Sequence, residues 1–281
     1  MTNTRWLSIL ALAFLLAASP RLRPQAPAIT GIAHVAYRVS DLDREVGFLG
    51  KLGFEEAFAF TSGDKMLEVF VKVNDDQFIE VYPQAQPSQP TGWMHVCYES
   101  DALDTLNSLY VANGLAPTKV AKAAAGNLIF SLKDPEGRIT EFTQYMPGSR
   151  HTLDRGQHLG ENRISDEILG FELPVANLPA ARQFYVKLGF DVLDADGSLH
   201  LSTPRAPDLR IVLHAPAPGS RPQLLLPVRD ARKSADQLRH MGLKVVRQDK
   251  LVFVNDPDGN PFVLLETRSA RGLGRALSWI H

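Results

Sequence analysis

The tetrapeptide Lys51-Leu52-Gly53-Phe54 returns as Lys187-Leu188-Gly189-Phe190, 136 residues further along the chain. The same spacing carries Val39 onto Val175. A shorter spacing of 61 residues carries Leu42 onto Leu103, Phe48 onto Leu109 and Gly53 onto Gly114. A fourth copy starts near Gln223, with Leu224 to Val228 and a helical run ending at Gly242. The turn Asp134-Pro135-Glu136-Gly137 is echoed by Asp256-Pro257-Asp258-Gly259. Proline second and glycine fourth suit a type I turn joining two strands. A chain that repeats itself in this way must pair or stack its units, because one such unit cannot bury its own apolar face.

The first copy shows what the unit is. Ile32 to Val39 alternates as a half-buried strand does. Ser40-Asp41 is an N-cap signal, Leu42, Val46, Phe48, Leu49 and Leu52 recur at helical spacing, and Gly53 ends the helix. Strands are expected at Glu55–Thr61, Met66–Val73 and Gln77–Tyr82, with Asn74-Asp75-Asp76 as a hairpin turn. The fold class is therefore α+β: four βαβββ modules. Pro83 to Pro90 links the first two modules, Pro147 to Ser165 links the halves, and Pro216 to Pro222 links the last two.

Composition narrows the function. Of the 281 residues 44% are hydrophobic, ample for a packed core, and the net charge of −1 offers no basic patch for nucleic acid. Trp6 to Ala18 is almost purely apolar and 13 residues long, the length of a signal-peptide core and too short to span a bilayer. Residues 1–28 are expected to be a signal peptide, with export to a bacterial periplasm or beyond. An uncleaved N-terminal membrane anchor is the alternative. Removing residues 1–28 would take away three arginines and no acids, leaving 27 basic against 31 acidic residues and a net charge of −4. The single cysteine, Cys97, precludes an intrachain disulfide.

The stretches HVAYRVSDLDREVGFLGKLGF, MHVCYE, QFIEVYP and DPEGRITEF, with its echo DPDGNPFVLL, resemble the vicinal-oxygen-chelate superfamily. That superfamily includes glyoxalases, bleomycin-resistance proteins, epimerases and extradiol ring-cleaving dioxygenases. The resemblance covers about residues 30–267. It implies that two modules close into one half-open β-barrel around a metal, and that this chain holds two such barrels. The expected organisation is a metal-binding domain at 29–148, a linker at 149–165 and a second domain at 166–267. A basic tail, 268–281, follows as a short helix or unordered segment.

Four residues carry the expected chemistry. Under the 61-residue shift His34 falls on His95 and Glu80 on Glu141. Strand alternation puts His34, Ala36 and Arg38 on one face, and His95, Cys97 and Glu99 likewise. Phe78, Glu80 and Tyr82 share a face, as do Ile139, Glu141, Thr143 and Tyr145. A carboxylate in the middle of an apolar strand costs several kcal/mol unless it is paired or bound to a metal. Two imidazoles and two carboxylates suit one divalent ion: zinc, nickel, iron, cobalt or manganese. An octahedral ion would keep two open positions for adjacent substrate oxygens and stabilise an enediolate, with Glu80 or Glu141 moving a proton. Glu141 is favoured as the base because Thr143 and Tyr145 stand ready to hydrogen-bond it once displaced. Cys97 is expected in the core, Tyr82, Tyr98 and Tyr145 in walls or core, and His151 and His158 in solvent.

The second half departs from this pattern. Gly170 stands at the place of His34, Gln223 at that of His95 and Val263 at that of Glu141, and no carboxylate occurs near the place of Glu80. It is expected to be a metal-free barrel that completes or shields the first, with a second small-molecule pocket as the alternative. Within the resemblance, a His-Glu-His-Glu set implies a glyoxalase-like lyase or isomerase acting on an oxygenated small molecule. A ring-cleaving dioxygenase using two His and one Glu is the alternative, and a non-catalytic binding or resistance protein a third. The expected partner is a small-molecule substrate, with no nucleic acid, no membrane after signal cleavage, and a monomeric or homodimeric state.

Overall fold

The computed structural model describes residues 29–267. The expectations for the signal segment 1–28 and the tail 268–281 lie outside the described residues. No described helix is long and apolar enough to cross a membrane.

Four modules follow one another. The first holds β1 (Ile29–Val39), α1 (Leu42–Lys51), β2 (Glu55–Ser62), β3 (Lys65–Lys72) and β4 (Phe78–Pro83). The second holds β5 (Gly92–Ser100), α2 (Leu103–Ala112), β6 (Ala121–Lys122), β7 (Leu128–Lys133) and β8 (Ile139–Gln144). A four-residue helix, α3 (Arg150–Leu153), lies between the halves. The third module holds β9 (Gly170–Pro174), α4 (Leu178–Lys187), β10 (Asp191–Ala195), β11 (Ser198–Thr203) and β12 (Ala206–His214). The fourth holds β13 (Gln223–Val228), α5 (Ala231–His240), β14 (Val245–Gln248), β15 (Leu251–Asn255) and β16 (Pro261–Glu266).

Each half is one eight-stranded sheet, and both have the same order: β2-β3-β4-β1-β5-β8-β7-β6 and β10-β11-β12-β9-β13-β16-β15-β14. In the first, β1 and β5 run antiparallel at the centre, and each is flanked by the last strand of its own module in parallel. This parallel pairing is available because a helix and a hairpin intervene between the two strands. Alternation then divides the side chains. Val35, Tyr37 and Val39 join the core under the helices, while His34 and Ala36 face the other way.

The first helix begins where the sequence indicates, and two others carry the same kind of cap. Asp41 accepts from the Arg44 N–H at 3.0 Å, Asn177 from Ala180 and Asp230 from Lys233. Each oxygen satisfies one of the donors that a first helical turn leaves free.

One core joins the two halves. Phe262 of β16 stacks on Tyr37 at 5.8 Å and meets Phe48 edge-on at 5.3 Å. Trp93 packs on Phe171, Tyr98 on Phe190, and the Tyr110 hydroxyl donates to the Leu188 carbonyl at 3.1 Å. The repeated turns clasp across this junction in matching fashion. Asp258 accepts from the Ser40 N–H at 2.7 Å, and Glu136 accepts from the Ala176 N–H at 2.6 Å. Ser40 and Ala176 are equivalent under the 136-residue shift.

Candidate metal centre

The strand register brings four side chains to one point. His34 sits beside Phe78 on β4 and Cys97 on β5, and Ala36 sits beside Glu80 and His95. On the other side Cys97 pairs with Glu141. Each glutamate therefore lies next to the residue two beyond a histidine, and a local two-fold relates the two pairs. The His34 and His95 Nε2 atoms are 3.2 Å apart. Glu80 Oε2 is 3.4 Å from His34 Nε2 and 3.2 Å from His95 Nε2. Glu141 Oε2 is 3.7 Å and 3.3 Å from the same atoms.

These separations fit a common ion. Donors about 2.1 Å from a metal stand roughly 3.0 Å apart on adjacent octahedral positions and roughly 3.4 Å apart on a tetrahedron. Glu80 Oε2 is fully buried and has no aligned hydrogen-bond donor, despite the nearby imidazoles. A buried carboxylate oxygen left this way is costly unless a cation takes its charge. Burial opposes charge here, yet three of the four groups shift in the opposite sense. Despite burial, Glu80 helps hold His34 well above the ordinary histidine range, and the imidazoles hold Glu80 and Glu141 below the carboxylate range. Without an ion, a proton on His34 supplies positive charge that the carboxylates require.

The four residues singled out from sequence thus come together. Cys97 is buried beneath them, and burial pushes its thiol up to about 11, so it stays a neutral core group beside His34. The surrounding cavity, about 160 Å³, is lined by Phe60, Phe70, Tyr82, Asn127, Tyr145 and His151, among others.

Two residues of this cavity escaped the sequence reading. Glu68 of β3 lies against Glu80 and Tyr82; burial and the neighbouring Glu80 carboxylate push it up to about 9, so it stays an acid and donates to Glu80. Its alternation with Phe70, the register partner of Glu80, was the available signal. His151 is the larger correction. Expected in solvent, it is buried at 4% exposure inside α3. It is ringed by Phe58, Phe70, Phe78 and Tyr145 at 4.7 to 5.1 Å. Burial drives its pKa down to about 3, so the ring is neutral.

The segment expected to be a plain linker is therefore folded over the barrel. Lys72, itself buried, pins it through Asp154 at 2.8 Å. The Arg150 N–H donates to Ala125 O at 2.8 Å, and the Arg150 guanidinium lies 4.7 Å above the Phe60 ring. Gly126 makes this approach possible: it adopts φ +94°, and a side chain there would press on Ser149. His158 remains at the surface, with its Nδ1 2.5 Å from an Asp154 carboxylate oxygen. The hydroxyls expected to receive a displaced Glu141 are taken. Thr143 donates to Leu128 O at 2.9 Å and Tyr145 to Asp76 O at 2.8 Å.

In the second half the same register places Gly170, Gln223 and Val263 at the positions of His34, His95 and Glu141, with Val212 at that of Glu80. Leu225, Val263 and Leu169 form an apolar cluster there with Leu251, Phe253 and Leu265. Gly170 could not carry an imidazole, because a Cβ would lie 1.6 Å from the Arg210 carbonyl oxygen. Among the described residues, the His, Cys and carboxylate groups close enough to share an ion are those around His34.

Residues 167–264 match the family model of the Glyoxalase/Bleomycin resistance protein/Dioxygenase superfamily. The fold is that of the vicinal-oxygen-chelate superfamily. The matched segment is the half that lacks the ligand cluster. No curated protein sequence matches the chain. Among solved structures, the Mn(II)-bound glyoxalase from Novosphingobium aromaticivorans is 17% identical with a TM-score of 0.66, covering 85% of this chain and 83% of that one. The 2,3-dioxygenase LapB from Pseudomonas sp. KL28 is 15% identical with a TM-score of 0.67, covering 87% and 94%. An extradiol ring-cleaving dioxygenase from B. fuscum is 14% identical with a TM-score of 0.66, covering 87% and 73%. At these identities the likeness concerns the fold, and both halves of the chain take part in it.

Proposed function

We propose that the chain is an exported, divalent-metal-dependent enzyme acting on a small molecule with two adjacent oxygens by proton transfer, as a glyoxalase-like lyase or isomerase. The observation that carries this reading is the convergence of His34, Glu80, His95 and Glu141 on one point, beside a cavity that His34 and Glu80 line. These four would hold the ion. When bound, it would polarise the substrate oxygens and stabilise the negative charge that develops as a neighbouring C–H proton leaves. Phe60, Phe70 and Tyr82 exclude water from one side. Glu80 is fixed by Glu68, whereas Glu141 is about one-fifth exposed and its neighbours' hydroxyls are engaged elsewhere. Greater freedom makes Glu141 the carboxylate that moves the proton. Export rests on residues 1–28 alone.

The competing reading is ring cleavage with two His and Glu141 as ligands, and the dioxygenase folds favour it. It requires Glu80 to stand outside the ligand set, whereas Glu80 Oε2 lies 3.2 Å from His95 Nε2. The test is metal content and turnover of Glu80→Gln and Glu141→Gln proteins, with methylglyoxal adducts and catechols as separate substrate panels. Loss of metal binding in Glu80→Gln, or proton-transfer activity without oxygen uptake, supports the proposal. Full metal content in Glu80→Gln together with oxygen-dependent catechol cleavage overturns it.

A further inference from the structure

Asn127 and His151 form a pair that fixes which nitrogen of the imidazole carries its proton. The Met146 N–H can only donate, and it reaches Asn127 Oδ1 at 3.2 Å. That contact makes the other end of the amide the NH₂ group, which lies 2.9 Å from His151 Nδ1. Nδ1 is therefore an acceptor, and in a neutral ring the proton must be on Nε2. His151 Nε2 is fully buried and has no partner. The residue lines the same cavity as His34 and Glu80. Four aromatic rings hold the imidazole edge-on or tilted, and the Lys72–Asp154 ion pair anchors its helix from below.

A buried N–H without an acceptor is costly. The surroundings that hold it there are specific: an amide that sets the tautomer, a buried ion pair, and a glycine that admits the segment. We propose that His151 is a neutral, preset hydrogen-bond donor that receives an oxygen of the ligand in this cavity, so that the molecule is gripped by an N–H on one side and the metal on the other. The inference rests on the metal-chelate reading above and specifies the ligand further. It must present an oxygen acceptor, a carboxylate, carbonyl or phenolate oxygen, beside its chelating pair. A donor such as an ammonium group at that position would meet His151 N–H head-on and be rejected.

Oxalate is a suitable probe, since it has two oxygens to chelate and two more to accept. Ring-¹⁵N-histidine spectra of the zinc-loaded full chain should show His151 as the neutral Nε2–H form from pH 5 to 8. Its Nε2 and attached proton should shift when oxalate is added. Calorimetric titration should show His151→Phe binding oxalate at least tenfold more weakly than the wild type at equal zinc content. His151→Gln, which retains an N–H donor, should recover part of that loss. An Nδ1–H tautomer, an imidazolium at pH 6, or an Nε2 signal unmoved by oxalate overturns the inference on the wild type alone. Equal oxalate affinity in the wild type and His151→Phe overturns it while leaving the metal reading intact. A wild-type chain that takes up no zinc removes both.

Discussion

The Nε2 atoms of His34 and His95 face each other at 3.2 Å, although 61 residues separate them in sequence. Two imidazole nitrogens that close are either a donor and an acceptor or two ligands of one ion. With Glu80 and Glu141 beside both, the second arrangement satisfies all four groups at once, and the first leaves Glu80 Oε2 without a donor.

A metal held only by the folded chain stabilises it by mass action. At free zinc 100 times its dissociation constant the gain is about 2.7 kcal/mol. The melting temperature of the full chain should therefore rise on adding zinc and fall again with a chelator. The His95→Ala protein should show neither response. An equal zinc response in both would place the binding elsewhere.

The second half should be indifferent to metal but sensitive to bulk. Gln223→Ala should leave metal content unchanged, since Gln223 stands beside an apolar cluster with no ligand partner. Gly170→Ala should destabilise the chain by about 2–4 kcal/mol, because the new methyl group meets the Arg210 carbonyl oxygen. Denaturant unfolding measures the second effect and elemental analysis the first. A neutral Gly170→Ala would contradict the close approach.

Glu45 supplies a pH dependence away from the metal centre. It is 1% exposed on α1, and one of its carboxylate oxygens has no partner. Burial first, then the nearby Asp256 and Asp258, push it up to about 9. The folded state thus holds this proton more tightly than the unfolded chain, where the group titrates near 4.5. Its stabilising contribution is complete below about pH 4.5 and is lost progressively as pH rises towards 9. Glu45→Gln should remove that slope and stabilise the chain at pH 8 by about 1–3 kcal/mol. Parallel pH–stability curves for the two proteins would show that Glu45 does not titrate this way.

The contrast between Glu45 and the four ligands shows what a sequence can and cannot disclose. His34, His95, Glu80 and Glu141 were legible because the repeat doubled each signal and strand alternation fixed the face of each side chain. The blank second site was legible for the same reason. Glu45 was hidden because it sits among helical apolar positions, and the carboxylates that act on it, Asp256 and Asp258, belong to a turn of the distant fourth module. His151 was hidden because its segment has no periodicity; its place is set by Lys72, Gly126 and Asn127, contacts spanning 23 to 82 residues. Glu68 followed the alternation but had no copy to mark it.

Glu141 should be separable from Glu80 by substitution. A positioned general base contributes typically about 10²–10⁴-fold in rate. Glu141→Gln should keep most of its metal and lose activity by about that factor, while Glu80→Gln, whose side chain is held between Glu68 and two imidazoles, should lose metal first. Metal content and turnover measured on the same preparations decide it. The reverse assignment would make the buried glutamate the mobile one.

Metal stoichiometry of the full chain tests the central claim most directly. After reconstitution and removal of excess ion, elemental analysis should give about one divalent ion per wild-type chain and almost none for His34→Ala with its fold intact. A metal-free wild type, or a His34→Ala protein that still holds one ion per chain, would contradict the account.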